Sequence, residues 1–288
     1  MTSSDPSSHA PHRKAEVFAA LHASGCFVIA NAWDAGSARL LSGLGFAALA
    51  TTSAGLAFSL GRRDGAAAVS RDESIDNAVS IARATVLPVS ADLEDGYGPS
   101  PEDCAATVRA AGAAGLCGCT IEDTTSDPGS PIHGFDAAVA RVAAAARAAR
   151  VVPHPFVLTA RAENFLHGRP DLDDTIRRLV AFAEAGADCL YAPGLPDMDA
   201  IRAVVAAVAP KPVNVLLGPR DGLVPVAALA AVGVRRVSVG GALFRAAYGN
   251  AVERARRLAA GDLAGAMASV ASEVPTHAEL NGAMRADR

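Results

Sequence analysis

Short apolar runs alternate with alanine-rich stretches of helical period from one end of the chain to the other. The apolar runs cover residues 26–34, 46–53, 87–94, 118–123, 156–163, 189–193, 212–217 and 235–241, and each predicts a strand. Helices are predicted between them over 71–84, 101–114, 135–150, 171–185, 197–208 and 224–232. Several open with helix-start chemistry. Ser100-Pro101-Glu102-Asp103 offers an N-cap, a proline in the first turn and acids at the positive end of the dipole, and Asp171 opens another in the same style. Gly115, Gly186 and Gly233 stand just past helix ends, where left-handed backbone is needed.

Eight strands alternating with helices predict an α/β fold, a parallel (β/α)8 TIM barrel, with a doubly wound open sheet as the alternative. The strand count favours the barrel, as does the lack of a Gly-x-Gly-x-x-Gly turn after the first strand. Polar residues also gather where the strands end: Asn31 and Asp34, Thr51 to Ser53, Asp92 and Glu94, Glu122 and Asp123, Arg161 to Asn164, and Asn214. In a barrel those ends share one mouth. No linker divides the chain, so residues 15–288 are expected to form one domain behind a disordered polar tail, 1–14. A helix over 242–260 and another beyond Gly261, towards Met267 and Val270, exceed what closing a barrel requires. They would pack on their own barrel or on a neighbouring subunit.

Composition narrows the class. Of 288 residues, 51% are hydrophobic, enough for a sizeable core without staples. Charged residues make up 19% and the net charge is -4, which argues against a nucleic-acid partner. Five cysteines in a long chain do not build a disulfide framework, and Cys117 and Cys119 lack the second pair that a zinc site wants. The first fourteen residues lack a signal peptide's apolar stretch, and no apolar run reaches the ~18 residues a membrane span requires. A cytoplasmic protein with no membrane partner is expected.

The densest chemistry lies in Pro88-Val89-Ser90-Ala91-Asp92-Leu93-Glu94-Asp95-Gly96-Tyr97-Gly98. Extended backbone points Asp92 and Glu94 the same way. At ~4 Å and an effective dielectric of ~20, their repulsion is about 4 kcal/mol. Either a hard divalent ion with oxygen ligands resolves it, or the strand end is simply solvated. Glu122 and Asp123 end the adjacent strand, which favours Mg²⁺ or Mn²⁺ over neutralisation by arginines such as Arg161. Arg161 and Glu163 share i, i+2 spacing at the fifth strand end, and an arginine there suits an anionic substrate. Thr51, Thr52 and Ser53 could cradle a carboxylate or form an ordinary turn. Asp64 alone would be a surface acid. The polar segment 124–134, TTSDPGSPIHG, is a candidate lid, and its His133 either acts as acid or base or is merely solvated, as is His167.

Taken together, the chain resembles the isocitrate lyase / phosphoenolpyruvate mutase superfamily over about residues 28–246. The resemblance rests on Asn31-Ala32-Trp33-Asp34, Thr-Thr-Ser-Ala-Gly, Leu60-Gly61-Arg62-Arg63-Asp64, ADLEDGYG, Thr120-Ile121-Glu122-Asp123 and Thr159-Ala160-Arg161-Ala162-Glu163, in that order. It implies a barrel whose last helix is exchanged with a neighbouring subunit, in a homo-oligomer (dimer or tetramer). It implies Mg²⁺ held by Asp92, Glu94 (a second Asp in most members) and Glu122. The substrate would be a small 2-oxo or 2-hydroxy carboxylate, contacted by Arg161, Thr51 to Ser53, Trp33 and Asn214. Arg161, Asp64, Glu163 and His133 would be the catalytic set. The implied activity is that of a lyase breaking or forming a C–C bond through a metal-stabilised enolate. A phosphonopyruvate-type P–C mutase or hydrolase is one alternative, and a non-catalytic 2-oxo acid binding protein is another. Family lyases carry a Lys-Lys/Arg-Cys-Gly-His segment whose cysteine is the acid/base. Here that stretch is TTSDPGSPIHG, and no cysteine lies between Cys119 and Cys189. The mutase lid's Lys and Asn are missing too, and strand six ends in Tyr-Ala-Pro-Gly where relatives carry Glu or His.

Overall fold

Eight parallel strands close on themselves in chain order, β1 beside β2 and so on round to β8, which pairs back with β1. They are β1 (Phe27–Asn31), β2 (Leu49–Ala50), β3 (Val89–Asp92), β4 (Gly118–Glu122), β5 (Val157–Arg161), β6 (Cys189–Tyr191), β7 (Val213–Leu216) and β8 (Arg236–Ser238). The structure is a computed structural model and describes residues 9–218, 224–268 and 274–285. Every strand lies inside a run predicted for it and is shorter, because parallel pairing lasts only a few residues before the chain turns towards the mouth.

Helices cover the outside: α1 (His9–Leu21), α2 (Ala35–Ser42), α3 (Ser53–Ser59), α4 (Arg71–Arg83), α5 (Pro101–Ala113), α6 (Phe135–Arg150), α7 (Leu172–Glu184), α8 (Met198–Val208), α9 (Val226–Ala231), α10 (Ala242–Ala259), α11 (Leu263–Met267) and α12 (His277–Ala283). The predicted capping chemistry is present. Ser100 accepts from Asp103 N in a capping box with Pro101 in the first turn, and Asp171 accepts from Asp174 N. The buried layer between sheet and helices is built of small and branched residues such as Ala78, Ile81, Val108, Leu158, Leu179 and Val204.

Three findings differ from expectation. Residues 9–14, assigned to a polar tail, form the first turns of α1. Asp34 is not a group of the mouth. Its carboxylate caps α2, accepting from Ser37 N, while the Ser37 hydroxyl accepts from Asp34 N. Short α3 starts directly at the end of the second predicted strand, so the Thr52 hydroxyl serves as its N-cap. Val270 falls outside the described residues.

Helix α1 has a distinct task. Ala15 and Phe18 are fully buried, and Phe18 packs with Ile29, Cys117, Val157 and Cys189 at the starts of the strands. The approach is close enough that a Cβ on Gly118 would meet the Val157 carbonyl oxygen and lie 3.1 Å from Phe18 Cε1. The helix therefore plugs the end of the barrel opposite the mouth. Phe18→Ala is expected to cost about 3–5 kcal/mol in urea unfolding. A loss under ~1 kcal/mol would show that α1 does not seal the barrel.

Helix α10 is bound differently. Its one buried residue is Phe244, stacked on Tyr248 (ring centroids 4.0 Å) and edge-on to Trp33 (5.5 Å). Leu243, Tyr248, Val252 and Leu258 are exposed along it. No helix among the described residues is long and apolar enough to cross a membrane.

Candidate active site

At the C-terminal ends of the strands the barrel opens into a cavity of about 390 Å³. Asp64, Asp92, Glu94, Glu122 and Glu163 line it together with Arg161 and Arg236. Five carboxylates thus face two guanidiniums.

Arg161, at the end of β5, organises the acids. Its Nη1 lies 2.8 Å from Glu122 Oε1 and 3.3 Å from Asp92 Oδ1, and its Nε donates to Glu163 Oε1 at 2.7 Å. These carboxylates hold the guanidinium firmly charged. No described residue accepts from Nη2, which leaves that nitrogen for a ligand. The ring of Tyr191 lies against the guanidinium, 4.8 Å from Cζ to centroid. Register explains the grouping: Glu122 of β4 pairs with Arg161, and Arg161 with Tyr191 of β6.

Asp92 is fixed from three sides. Thr120 Oγ1 donates to its Oδ1 at 3.1 Å, Ser53 N to its Oδ2 at 3.2 Å, and its own N–H donates to Thr51 Oγ1 at 2.8 Å. The proposed carboxylate cradle is therefore engaged from within: Thr51 and Ser53 hold Asp92, while Thr52 caps α3. Ser53 and Asp64 line the same side of the cavity, and the Ser53 hydroxyl moderates the rise of the Asp64 carboxyl. Glu163 is almost fully buried behind Arg161, with its N–H on Asp123 Oδ1 at 2.8 Å. Asp123 faces away from the cavity and pairs with Arg178 of α7 at 2.9 Å.

Glu94 reaches the cavity by another route than its spacing suggests. The strand ends at Asp92, and Glu94 adopts left-handed backbone (φ +45°), as does Tyr97 (φ +60°). Such backbone is costly for a side-chain-bearing residue and concentrates at functional sites. Burial and the neighbouring Asp92 and Asp64 push the Glu94 carboxyl up to about 7. Burial and Asp92 likewise raise Asp64, and burial raises Glu122 against the pull of Arg161.

These acids bear on the implied metal. Among the described residues no three His, Cys, Asp or Glu side chains are placed to enclose an ion. The donor set is nonetheless all oxygen and anionic, five carboxylates against two guanidiniums among the described residues. It suits a hard divalent ion that binds through one or two carboxylates and keeps part of its water shell.

Two expected site residues stand elsewhere. Trp33 does not line the cavity. Its carbonyl accepts from Asn77 Nδ2 and its ring packs on Phe244, because the chain turns into α2 directly after it. His133 does not line it either. The segment 124–134 folds back on itself through a Thr124–Ile132 bridge, and Arg178 holds the His133 carbonyl, so in this structure it is not a lid over the cavity. His167 reaches the rim instead. Asn214 lines the cavity as expected, and so do Tyr191, Ser238 and Arg236, which were not assigned to it. Arg236 opens its strand rather than ending it, and polar strand ends were the only signal available.

A closed parallel barrel with acids and one arginine converging at its mouth defines an enzyme-type site. Residues 18–259 match the phosphoenolpyruvate phosphomutase family, and the chain belongs to that family. It is similar to a Burkholderia cenocepacia J2315 protein classed as a lyase/mutase, at 51% identity, TM-score 0.89 and coverage of 95% and 96% of the two chains. It is 35% identical to an uncharacterised protein of Mycobacterium tuberculosis over 84% of this chain and 88% of that one. It is 29% identical to an oxaloacetate decarboxylase of Chromohalobacter salexigens over 80% and 79%. The superfamily is one of lyases, mutases and decarboxylases.

Proposed function

We propose that the protein is a divalent-cation-assisted lyase that breaks a C–C bond beside the oxo or hydroxy carbon of a small carboxylate. The observation that carries this reading is the convergence of Asp92, Glu122 and Glu163 on Arg161, with one guanidinium nitrogen left for a ligand. Asp92, Glu94 and Glu122 would hold Mg²⁺ or Mn²⁺, which would supply positive charge for the substrate's oxygens. Arg161 donates through the two N–H groups of its free Nη2, a single-nitrogen fork, to the carboxylate and to the oxygen on which negative charge grows. Glu163 fixes the plane of that fork, and the Asp123–Arg178 pair fixes Glu163. The decarboxylase relative supports a 2-oxo substrate. A P–C substrate would bring more negative charge, and beyond Arg161 the described residues of the cavity offer one further guanidinium, the committed Arg236.

Following the exposed stripe on α10, we further propose that this helix packs on a second copy, in a dimer or larger homo-oligomer. The activity is tested by a panel with Mg²⁺: isocitrate, methylisocitrate, oxaloacetate, 2-oxoglutarate aldols and phosphonopyruvate. Consumption of a 2-oxo or 2-hydroxy acid, abolished by chelator, is expected. Phosphate release from phosphonopyruvate would move the assignment to P–C chemistry. Bound oxalate with no turnover of any member would leave a binding protein.

A further inference from the structure

A lyase of this kind must hand a proton to the carbon it has just released, and no thiol is present to do so. Cys104, Cys117, Cys119 and Cys189 are buried in the core, and no cysteine lines the cavity. The acids of the cavity are tied to Arg161 or gathered in the cluster around Asp92, and His167 sits out at the rim. Among the neutral groups that line the cavity are a phenol, an amide and a hydroxyl carried on β6, β7 and β8, Tyr191, Asn214 and Ser238.

That series of groups has a direction. Arg236 is 3% exposed, and no carboxylate pairs with it among the described residues. Its Nε donates to Asn214 Oδ1 at 2.8 Å, its Nη2 to Thr159 Oγ1 at 2.9 Å, and its Nη1 lies 3.2 Å from His22 Nε2. His22 Nδ1 is 2.8 Å from the Phe18 carbonyl, so that nitrogen carries the proton and Nε2 accepts. Burial and Arg236 push His22 down to about 3, which keeps it neutral. A guanidinium cannot accept a hydrogen bond, so it fixes the Asn214 amide with its oxygen inward. The amide nitrogen then donates to Ser238 Oγ at 2.9 Å. With one lone pair of Ser238 so occupied, its proton is free to point to Tyr191, which lines the same cavity and whose phenol the Ser238 hydroxyl neighbours. The Tyr191 proton is then left for the cavity that this residue lines.

Resting on the lyase reading above, we propose that Tyr191 is a catalytic residue, the general acid that protonates the enolate carbon, and that Ser238, Asn214 and Arg236 are its positioning residues. In the step, written for a 2-oxo acid with a carboxylate on the next carbon, the C–C bond breaks, its electron pair passes to the 2-oxo fragment, which becomes an enolate, and the carboxylate carbon leaves as carbon dioxide. The enolate carbon takes the proton from Tyr191 Oη to form a C–H bond, and the C–O bond returns to a carbonyl. Water at the mouth reprotonates the phenolate. Arg161 against the ring face steadies that phenolate charge. Burial holds the phenol up to about 12, so the proton is on the oxygen at neutral pH.

The test uses Tyr191→Phe, which removes the hydroxyl and keeps the ring beside Arg161. Three quantities are compared with wild type: turnover of whichever panel substrate is accepted, washout of α-hydrogens from 2-oxobutyrate in D₂O with Mg²⁺ by proton NMR, and oxalate affinity by calorimetry. Loss of turnover and of any wild-type washout by about 10²–10⁴-fold is expected, with oxalate affinity within a few-fold. Ser238→Ala should slow the same steps less, about tenfold, because the acid stays and only its orientation is lost. Turnover or washout of Tyr191→Phe within tenfold of wild type overturns the assignment, and so does a parallel loss of oxalate binding. If wild type itself neither turns over a panel member nor exchanges 2-oxobutyrate, the lyase reading fails as well.

Discussion

Arg161→Ala is expected to lower turnover by roughly 10²–10³-fold while divalent-cation uptake persists or tightens. The first effect follows from loss of the Arg161 nitrogen left free for a ligand at the mouth. The second follows from the apo charge balance. Arg161 now neutralises Glu122 at 2.8 Å and Glu163 at 2.7 Å. Removing it leaves buried carboxylates without a partner, a loss of about 3–5 kcal/mol in cation-free protein. Those freed oxygens are then a stronger ligand set, so Mg²⁺ should restore more stability to the variant than to wild type. Arg161→Lys keeps the charge and loses the fork, and should fall between the two. Rates, calorimetric Mg²⁺ titration and thermal unfolding with and without Mg²⁺ measure all three effects. Near wild-type turnover of Arg161→Ala would remove this residue from the mechanism.

Glu94→Gln should make the cation-free protein more stable than wild type at pH 8 and weaken its Mg²⁺ uptake. In the fold this carboxyl is raised from 4.5 to about 7. The folded chain therefore keeps a proton that the unfolded chain has already lost. Its contribution is complete below pH 4.5 and disappears as pH rises through 7, a span worth about 3 kcal/mol. Glutamine stays neutral throughout, so the variant should lack that decline. Added Mg²⁺ at pH 8 should recover stability in wild type and less in the variant. Superimposable stability–pH curves for the two proteins would show that Glu94 carries no such strain.

The barrel was legible in the chain because each strand is a short apolar run closed by a polar residue, and eight such runs admit few other architectures. The acids and Arg161 were legible for the same reason, since strand ends point at the mouth. Period-two spacing brought Glu94 to the cavity for a mistaken cause: the strand stops at Asp92, and a left-handed turn does the aiming. Trp33 and His133 carry chemistry-bearing side chains near the right strand ends, yet packing on Phe244 and the grip of Arg178 decide where they stand. Tyr191 and Arg236 were hidden in the opposite way. Tyr191 ends β6 as an aromatic that reads as core, and Arg236 opens β8, at the end of the strand away from the mouth. Helix α1 was missed because its apolar residues, Ala15 and Phe18 among them, follow a polar run that looks like a tail.

That seal at the foot of the barrel governs traffic. With Phe18 and His22 stoppering the floor, the described residues leave the mouth as the way in and out. On the lyase reading, two products formed behind it would leave by that same way, one after the other.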